Sequence, residues 1–281
     1  MNCLHSTRRQ SDPMRRTLLL LSIALWICGV VAPAQTQGPA LEGIAHVALR
    51  VSDLNQSRDF YQKLGFEEAF TLTKDGVITE SFLKVNDRQF IEMYPKQQSS
   101  QPIGFMHVCF EGADLEALNR EYLARGLSPT PVKRAGAGNL LFTMEGPEKQ
   151  NIEYTQYMPG SLHSNDQGKH LGANRISTEL VAFGLAMKDE VAAEEFYRQK
   201  LGFQPLQRFF EPGLMALQLS GPSRQAVQIT PAASACKIFF TVSNLGRAAA
   251  RLKALHLSVL KQPSVLTIQD PDGNRIVFVK E

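Results

Sequence analysis

Four side chains able to bind a metal fall in short apolar runs of the first half of the chain. They are His46 in Ile44-Ala45-His46-Val47-Ala48, Glu92 in Phe90-Ile91-Glu92-Met93-Tyr94, His107 in Met106-His107-Val108-Cys109-Phe110, and Glu153 in Asn151-Ile152-Glu153-Tyr154. A single histidine in a strand is more often a hydrogen-bonded core residue than a ligand. A single glutamate there can simply be the solvent face of an amphipathic strand. These four, however, occupy matching places, one His or Glu in the first and one in the last strand of each of two successive units. Two imidazoles and two carboxylates suit a five- or six-coordinate divalent ion that keeps positions for water or substrate.

The elements that must position them follow from periodicity and from turn residues. Ile44 to Val51 reads as a buried strand. Ser52 or Asp53 is a good N-cap, Leu54, Ser57, Phe60, Tyr61 and Leu64 fall near helical spacing, and Gly65 supplies the left-handed residue that ends the helix. Strands are predicted near 68–73, 79–85 and 89–93, separated by Lys74-Asp75-Gly76 and Asn86-Asp87. The next unit repeats the order, with a strand over 104–110, a helix from Leu115 to Arg125 closed by Gly126, and strands near 132–134, 140–144 and 151–156.

The whole pattern then recurs. Phe60-Tyr61-Gln62-Lys63-Leu64-Gly65-Phe66 returns as Phe196-Tyr197-Arg198-Gln199-Lys200-Leu201-Gly202-Phe203 with one residue inserted, and Arg88-Gln89 to Pro95 returns as Arg224-Gln225 to Pro231. Asp114-Leu115 to Gly126-Leu127 likewise matches Asn244-Leu245 to His256-Leu257. Such register indicates a duplication. The expected organisation is a leader over 1–34, a ligand-bearing domain over 41–157, a polar linker over 158–176 and a second domain over 177–281.

The 281 residues are 43% hydrophobic and 20% charged, an ordinary globular composition. The formal charge of +3 comes from the N-terminus, because residues 1–34 hold four arginines and one acid, Asp12, and leave 26 bases against 26 acids. A neutral body offers no electrostatic footprint for nucleic acid or an anionic membrane. Arg15-Arg16, the apolar run Leu18 to Val31 and Ala32-Pro33-Ala34 follow the order of a secretory signal peptide. Cleavage after Ala34, export to the periplasm or medium, and no stable membrane insertion afterwards are expected. Only Cys109 and Cys236 then remain, too few for a disulfide framework.

The order of strand His, Phe60-Tyr61 with Leu64-Gly65-Phe66, strand Glu, strand His and strand Glu resembles the vicinal oxygen chelate superfamily of glyoxalase I, bleomycin-resistance proteins, extradiol dioxygenases and epimerases. The resemblance covers residues 43–280, weakly in the last two units. It implies an α+β fold of four βαβββ modules, paired into two cup-shaped domains with ligands on the concave strands. The first domain is most similar to bacterial glyoxalase I. By that resemblance His46, Glu92, His107 and Glu153 hold the metal, Ni²⁺ or Zn²⁺ foremost and Fe²⁺ or Mn²⁺ as alternatives. Glu153 or Glu92 moves the substrate proton, and Arg50 stands where an Arg contacts glutathione. Lys96 replaces the glutathione-gripping Asn, and the Asp-Pro-Asp-Gly turn is intact only as Asp270-Pro271-Asp272-Gly273. In the second unit that turn has become Gly146-Pro147-Glu148-Lys149.

The second half is blank at these places: Glu92 maps to Gln228, His107 to Lys237, Glu153 to Val277, and His46 to Ala182 or Phe183. The leading expectation is a metal-dependent lyase or isomerase acting on a small molecule with vicinal oxygens, as a monomer or homodimer. The alternatives are an Fe²⁺ extradiol-type dioxygenase built on His46, His107 and Glu153, and a non-enzymatic binding or sequestering protein. All four ligands can meet only if the first unit pairs with the second.

Overall fold

The computed structural model describes residues 38–206, 214–231 and 236–281. The leader expected over 1–34 lies outside them. The first half forms strands β1 (Gly43–Val51), β2 (Glu68–Lys74), β3 (Val77–Asn86), β4 (Gln89–Pro95), β5 (Gly104–Glu111), β6 (Lys133–Arg134), β7 (Leu140–Glu145) and β8 (Asn151–Gln156). They build one sheet in the order β2-β3-β4-β1-β5-β8-β7-β6. The second half supplies β9 (Leu180–Met187), β10 (Gln204–Pro205), β11 (Ala216–Gln218), β12 (Ala226–Pro231), β13 (Lys237–Val242), β14 (Leu260–Lys261), β15 (Val265–Gln269) and β16 (Arg275–Lys280). Their order, β10-β11-β12-β9-β13-β16-β15-β14, is the same topology. The α+β fold of two duplicated curled sheets expected from the sequence is what the chain adopts, and the first unit does pair with the second.

Helices α1 (Leu54–Lys63), α2 (Leu115–Ala124) and α5 (Leu245–Ala254) begin alike because an Asp or Asn precedes each. The side chains of Asp53, Asp114 and Asn244 accept from the backbone N–H three residues on, at 3.0, 2.9 and 2.8 Å. Each bond satisfies one of the N–H groups that a helix start leaves unpaired, worth about 1 kcal/mol. Gly65 ends α1 at φ 93°, and a Cβ there would lie 2.3 Å from the Asn174 carbonyl.

The helix of the third unit begins with α4 (Glu190–Ala193), which continues into a π-helical segment over Glu194–Lys200. The residue inserted in Phe196-Tyr197-Arg198-Gln199-Lys200-Leu201-Gly202 explains it. A wider turn absorbs one residue while Phe196, Tyr197 and Leu201 stay buried like Phe60, Tyr61 and Leu64.

One hydrophobic cluster joins the convex faces of both sheets. Phe105 stacks on Phe183 at 4.6 Å, and Phe66 meets Phe240 at 5.2 Å. The repeated Gln89 and Gln225 exchange bonds across the duplication. Gln89 accepts from Leu180 N at 2.9 Å and donates to Leu180 O at 2.8 Å, while Gln225 accepts from Ile44 N at 2.6 Å. The turn motif completes the seam: Tyr61 donates to Asp270 at 3.1 Å. Its counterpart Tyr197 faces Gly146, where the second unit lost the Asp, and its hydroxyl has no partner among the described residues. Glu148 keeps part of the role, accepting from Lys188 N at 2.6 Å and Asp189 N at 2.9 Å.

Candidate metal centre

The four expected ligands come one each from β4, β1, β5 and β8, the four consecutive central strands. Register brings them to one place. Ala48, two residues beyond His46, is the parallel partner of Glu92 and the antiparallel partner of His107. Cys109 pairs with both His46 and Glu153. A register shift in β1 between Ile44 and His46 marks a bulge that re-aims the strand at the ligand. The second sheet has the same shift opposite Leu180 and Ala182, so the bulge belongs to the fold and not to the ligand.

His46 Nε2 lies 2.8 Å from Glu92 Oε2, 3.0 Å from His107 Nε2 and 3.6 Å from Glu153 Oε1. His107 Nε2 is 3.9 Å from Glu92 Oε2 and 4.0 Å from Glu153 Oε2. Donors around one ion at bond lengths of about 2.1 Å stand about 3.0 Å apart when adjacent and about 4.2 Å apart when opposite. The observed spacings span that range. Glu92 Oε2 is buried and, among the described residues, has His46 Nε2 as its near neighbour at 2.8 Å. Two imidazoles and two carboxylates converging in a buried site are a donor set that fits a divalent ion.

The two carboxylates differ. Tyr94 donates to Glu92 Oε1 at 2.5 Å, which fixes that side chain from the far side. Burial opposes its charge, but the adjacent His46 overcomes this and holds the Glu92 carboxyl well below the usual carboxylate range. Glu153 has the Cys109 thiol in place of a tyrosine donor, stands farther from His46, and is raised by burial and by the Glu92 charge. Burial also pushes His107 down to about 4, with His46 adding to the effect. Cys109 sits fully buried beside His46 and Glu153, and burial together with the Glu153 charge keeps its thiol protonated. It serves as a small packed side chain.

A cavity of about 130 Å³ opens from this cluster, lined by His46, Glu92 and Glu153 together with Glu80, Tyr94 and His163. Arg50 is not in its lining. The guanidinium lies on the same face of β1 as His46 but binds the Pro102 carbonyl at 3.2 Å. Tyr94 could have been found from the sequence, since it follows Glu92 at the strand period of two. Glu80 and His163 carried no comparable signal.

The segment expected as a polar linker contains a short helix, α3 (Leu162–Asn165), which packs beside this cavity. Its anchor is Lys84, wholly buried, whose Nζ meets the Asp166 carbonyl at 2.5 Å and carboxylate at 2.8 Å, and Asp87 at 2.8 Å. Lys84→Ala would remove the buried cation from Asp166 and leave it only the half-exposed His170 as a side-chain partner. We expect a loss of about 3–5 kcal/mol in urea unfolding, far more than a surface lysine gives.

In the second sheet, strand register identifies Ala182, Gln228, Lys237 and Val277 as the residues at the four ligand positions. It settles the choice between Ala182 and Phe183 in favour of Ala182. An apolar cluster of Ala182, Ala226, Phe239, Val265, Val277 and Val279 covers the concave face instead.

A model of the Glyoxalase/Bleomycin resistance protein/Dioxygenase superfamily matches residues 43–154 and 179–278. The chain belongs to that superfamily. Among solved structures it is similar to the Mn(II)-bound glyoxalase from Novosphingobium aromaticivorans, at 15% identity and TM-score 0.65 over 86% of this chain and 83% of the other. It is also similar to the 2,3-dioxygenase LapB from Pseudomonas sp. KL28, at 18% identity and TM-score 0.64 over 86% and 93%. Homoprotocatechuate 2,3-dioxygenase from Arthrobacter globiformis gives 17% and 0.64 over 88% and 82%. These likenesses establish the shared fold. No curated protein matches the sequence at a significant level.

Proposed function

We propose that the first domain of this superfamily member is a divalent-metal enzyme of the glyoxalase type. It would abstract a proton beside a carbonyl in a small substrate with vicinal oxygens. The observation that carries this reading is the second carboxylate. Both Glu92 and Glu153 reach the imidazole pair, one clamped by the Tyr94 hydroxyl and the other beside only the weaker Cys109 thiol donor. A facial triad for oxygen chemistry needs only one carboxylate and leaves positions open, so the extra Glu favours proton transfer over ring cleavage.

When bound, the ion supplies Lewis acidity to the paired substrate oxygens. The chain's own groups do the rest. Glu92 is the fixed ligand, Glu153 takes the C–H proton and returns it, and the buried walls exclude water. The cavity of about 130 Å³ opens outward, so it receives the chelating end of the substrate, a compact hydroxycarbonyl or dicarbonyl unit.

The test is proton exchange in D₂O, followed by NMR, with protein loaded in turn with Ni²⁺, Zn²⁺, Mn²⁺ and Fe²⁺ and offered small α-hydroxycarbonyls. Metal-dependent exchange at the carbon beside the carbonyl is the expected outcome. Oxygen uptake with catechols and no such exchange would replace this reading with the dioxygenase one.

A further inference from the structure

His163 lies in the segment between the two halves, far in sequence from every strand of the centre, yet it lines the same cavity as His46, Glu92 and Glu153. Its placement is built. Ser161 caps α3 through Ser164 N at 3.1 Å, Leu162 N donates to Ala137 O at 2.9 Å, and Lys84 holds Asp166. The ring is caged edge-on by Phe70, Phe82 and Phe90 at 4.9, 5.3 and 4.8 Å, and Tyr157 stacks on it at 5.0 Å. The residue is 5% exposed.

The hydrogen-bond network assigns its tautomer. Asn139 Oδ1 accepts from Met158 N at 3.2 Å, which turns the amide nitrogen toward His163 Nδ1, 2.8 Å away. An amide NH₂ only donates, so Nδ1 is the acceptor and the proton of a neutral ring sits on Nε2. Nε2 is buried and has no partner among the described residues. Burial, reinforced by His46, pushes this imidazole down to about 3, so it stays neutral. A buried donor without an acceptor is retained at a cost to stability, and a ligand oxygen in the cavity would offset that cost.

We infer that His163 is a neutral hydrogen-bond donor, through Nε2–H, to a substrate oxygen bound in the first cup. The inference rests on the reading of that cup as the substrate site. As Glu153 removes the C–H proton, the electron pair moves onto the substrate oxygen, and Nε2–H stabilises that charge without giving up its proton. Glu153 then returns the proton to the substrate. A neutral imidazole suits this task because its donor strength is matched to a developing oxyanion.

Two measurements test the inference. In ¹⁵N-histidine NMR of the purified protein at pH 7, with His163→Gln giving the assignment, the ring should be the Nε2–H tautomer. The Nδ1–H tautomer would overturn the proposal. The second probe is acetohydroxamate, a small chelating anion, titrated into Zn²⁺-loaded protein by calorimetry. His163→Phe keeps the aromatic cage filled but has no donor, and should weaken binding roughly 10–100-fold at unchanged zinc content. His163→Gln, which can donate, should lose less than His163→Phe. Equal affinity in wild type and in folded His163→Phe would overturn the proposal, and should that variant fail to fold the tautomer alone decides it. If tautomer and affinity come out as expected while no substrate exchanges its proton, the donor stands and the glyoxalase-type reading falls.

Discussion

Glu153→Gln is expected to retain its divalent ion and to lose about 10²–10⁴-fold in turnover of any small hydroxycarbonyl the protein accepts, the usual contribution of a general base. The amide keeps one oxygen for the ion but cannot take a proton. Glu153 is the better candidate of the two carboxylates because it is less constrained. Its oxygens stand 3.6 and 4.0 Å from the nearest imidazole nitrogens, whereas Glu92 is gripped on one side by Tyr94 and faces His46 at 2.8 Å on the other. A base free to turn toward the substrate would take the proton more readily than one held on both sides. Glu92→Gln should accordingly lose metal and turnover together. Metal analysis beside steady-state rates on both variants separates the roles. Full activity in metal-replete Glu153→Gln would transfer the proton-accepting role to Glu92 or favour oxygen chemistry.

Strand periodicity, Asx caps and the duplication made most of the fold legible, because each is a local property repeated across the chain. The residue inserted between Tyr197 and Leu201 was visible as well, but not that a π-helical turn would absorb it. The convergence of the four candidate ligands was legible for a related reason: strand alternation puts His46, Glu92, His107 and Glu153 on one face once the sheet order is known. What escaped depends on contacts between distant segments. The stretch after Met158 is rich in Gly, Ser and Asn and reads as a linker. Its function as a wall of the cup comes from Lys84 holding Asp166 and from a cage of Phe70, Phe82, Phe90 and Tyr157, none of them its sequence neighbours. Arg50, whose sequence position suggested a substrate contact, donates to the Pro102 carbonyl in the ligand-free chain.

Metal stoichiometry carries the other large effect. One equivalent of divalent ion per chain is expected, and none in His46→Ala, because His46 is the hub from which the other three ligands are measured at 2.8, 3.0 and 3.6 Å. Removing it would leave two carboxylates and one imidazole with no group between them. The second sheet cannot compensate. Ala182 and Val277 offer no donor atom, and an apolar cluster occupies that concave face. An ion that binds only the folded chain stabilises it by about 2.7 kcal/mol at a hundredfold excess over Kd. For a chain of this size that corresponds to roughly 5–10 °C in melting temperature. Chelator should therefore lower the wild-type melting temperature by that amount and leave His46→Ala unmoved. Two equivalents per chain, or a chelator response that survives in His46→Ala, would mean that the ion sits elsewhere. The convergence of these four side chains would then need another explanation.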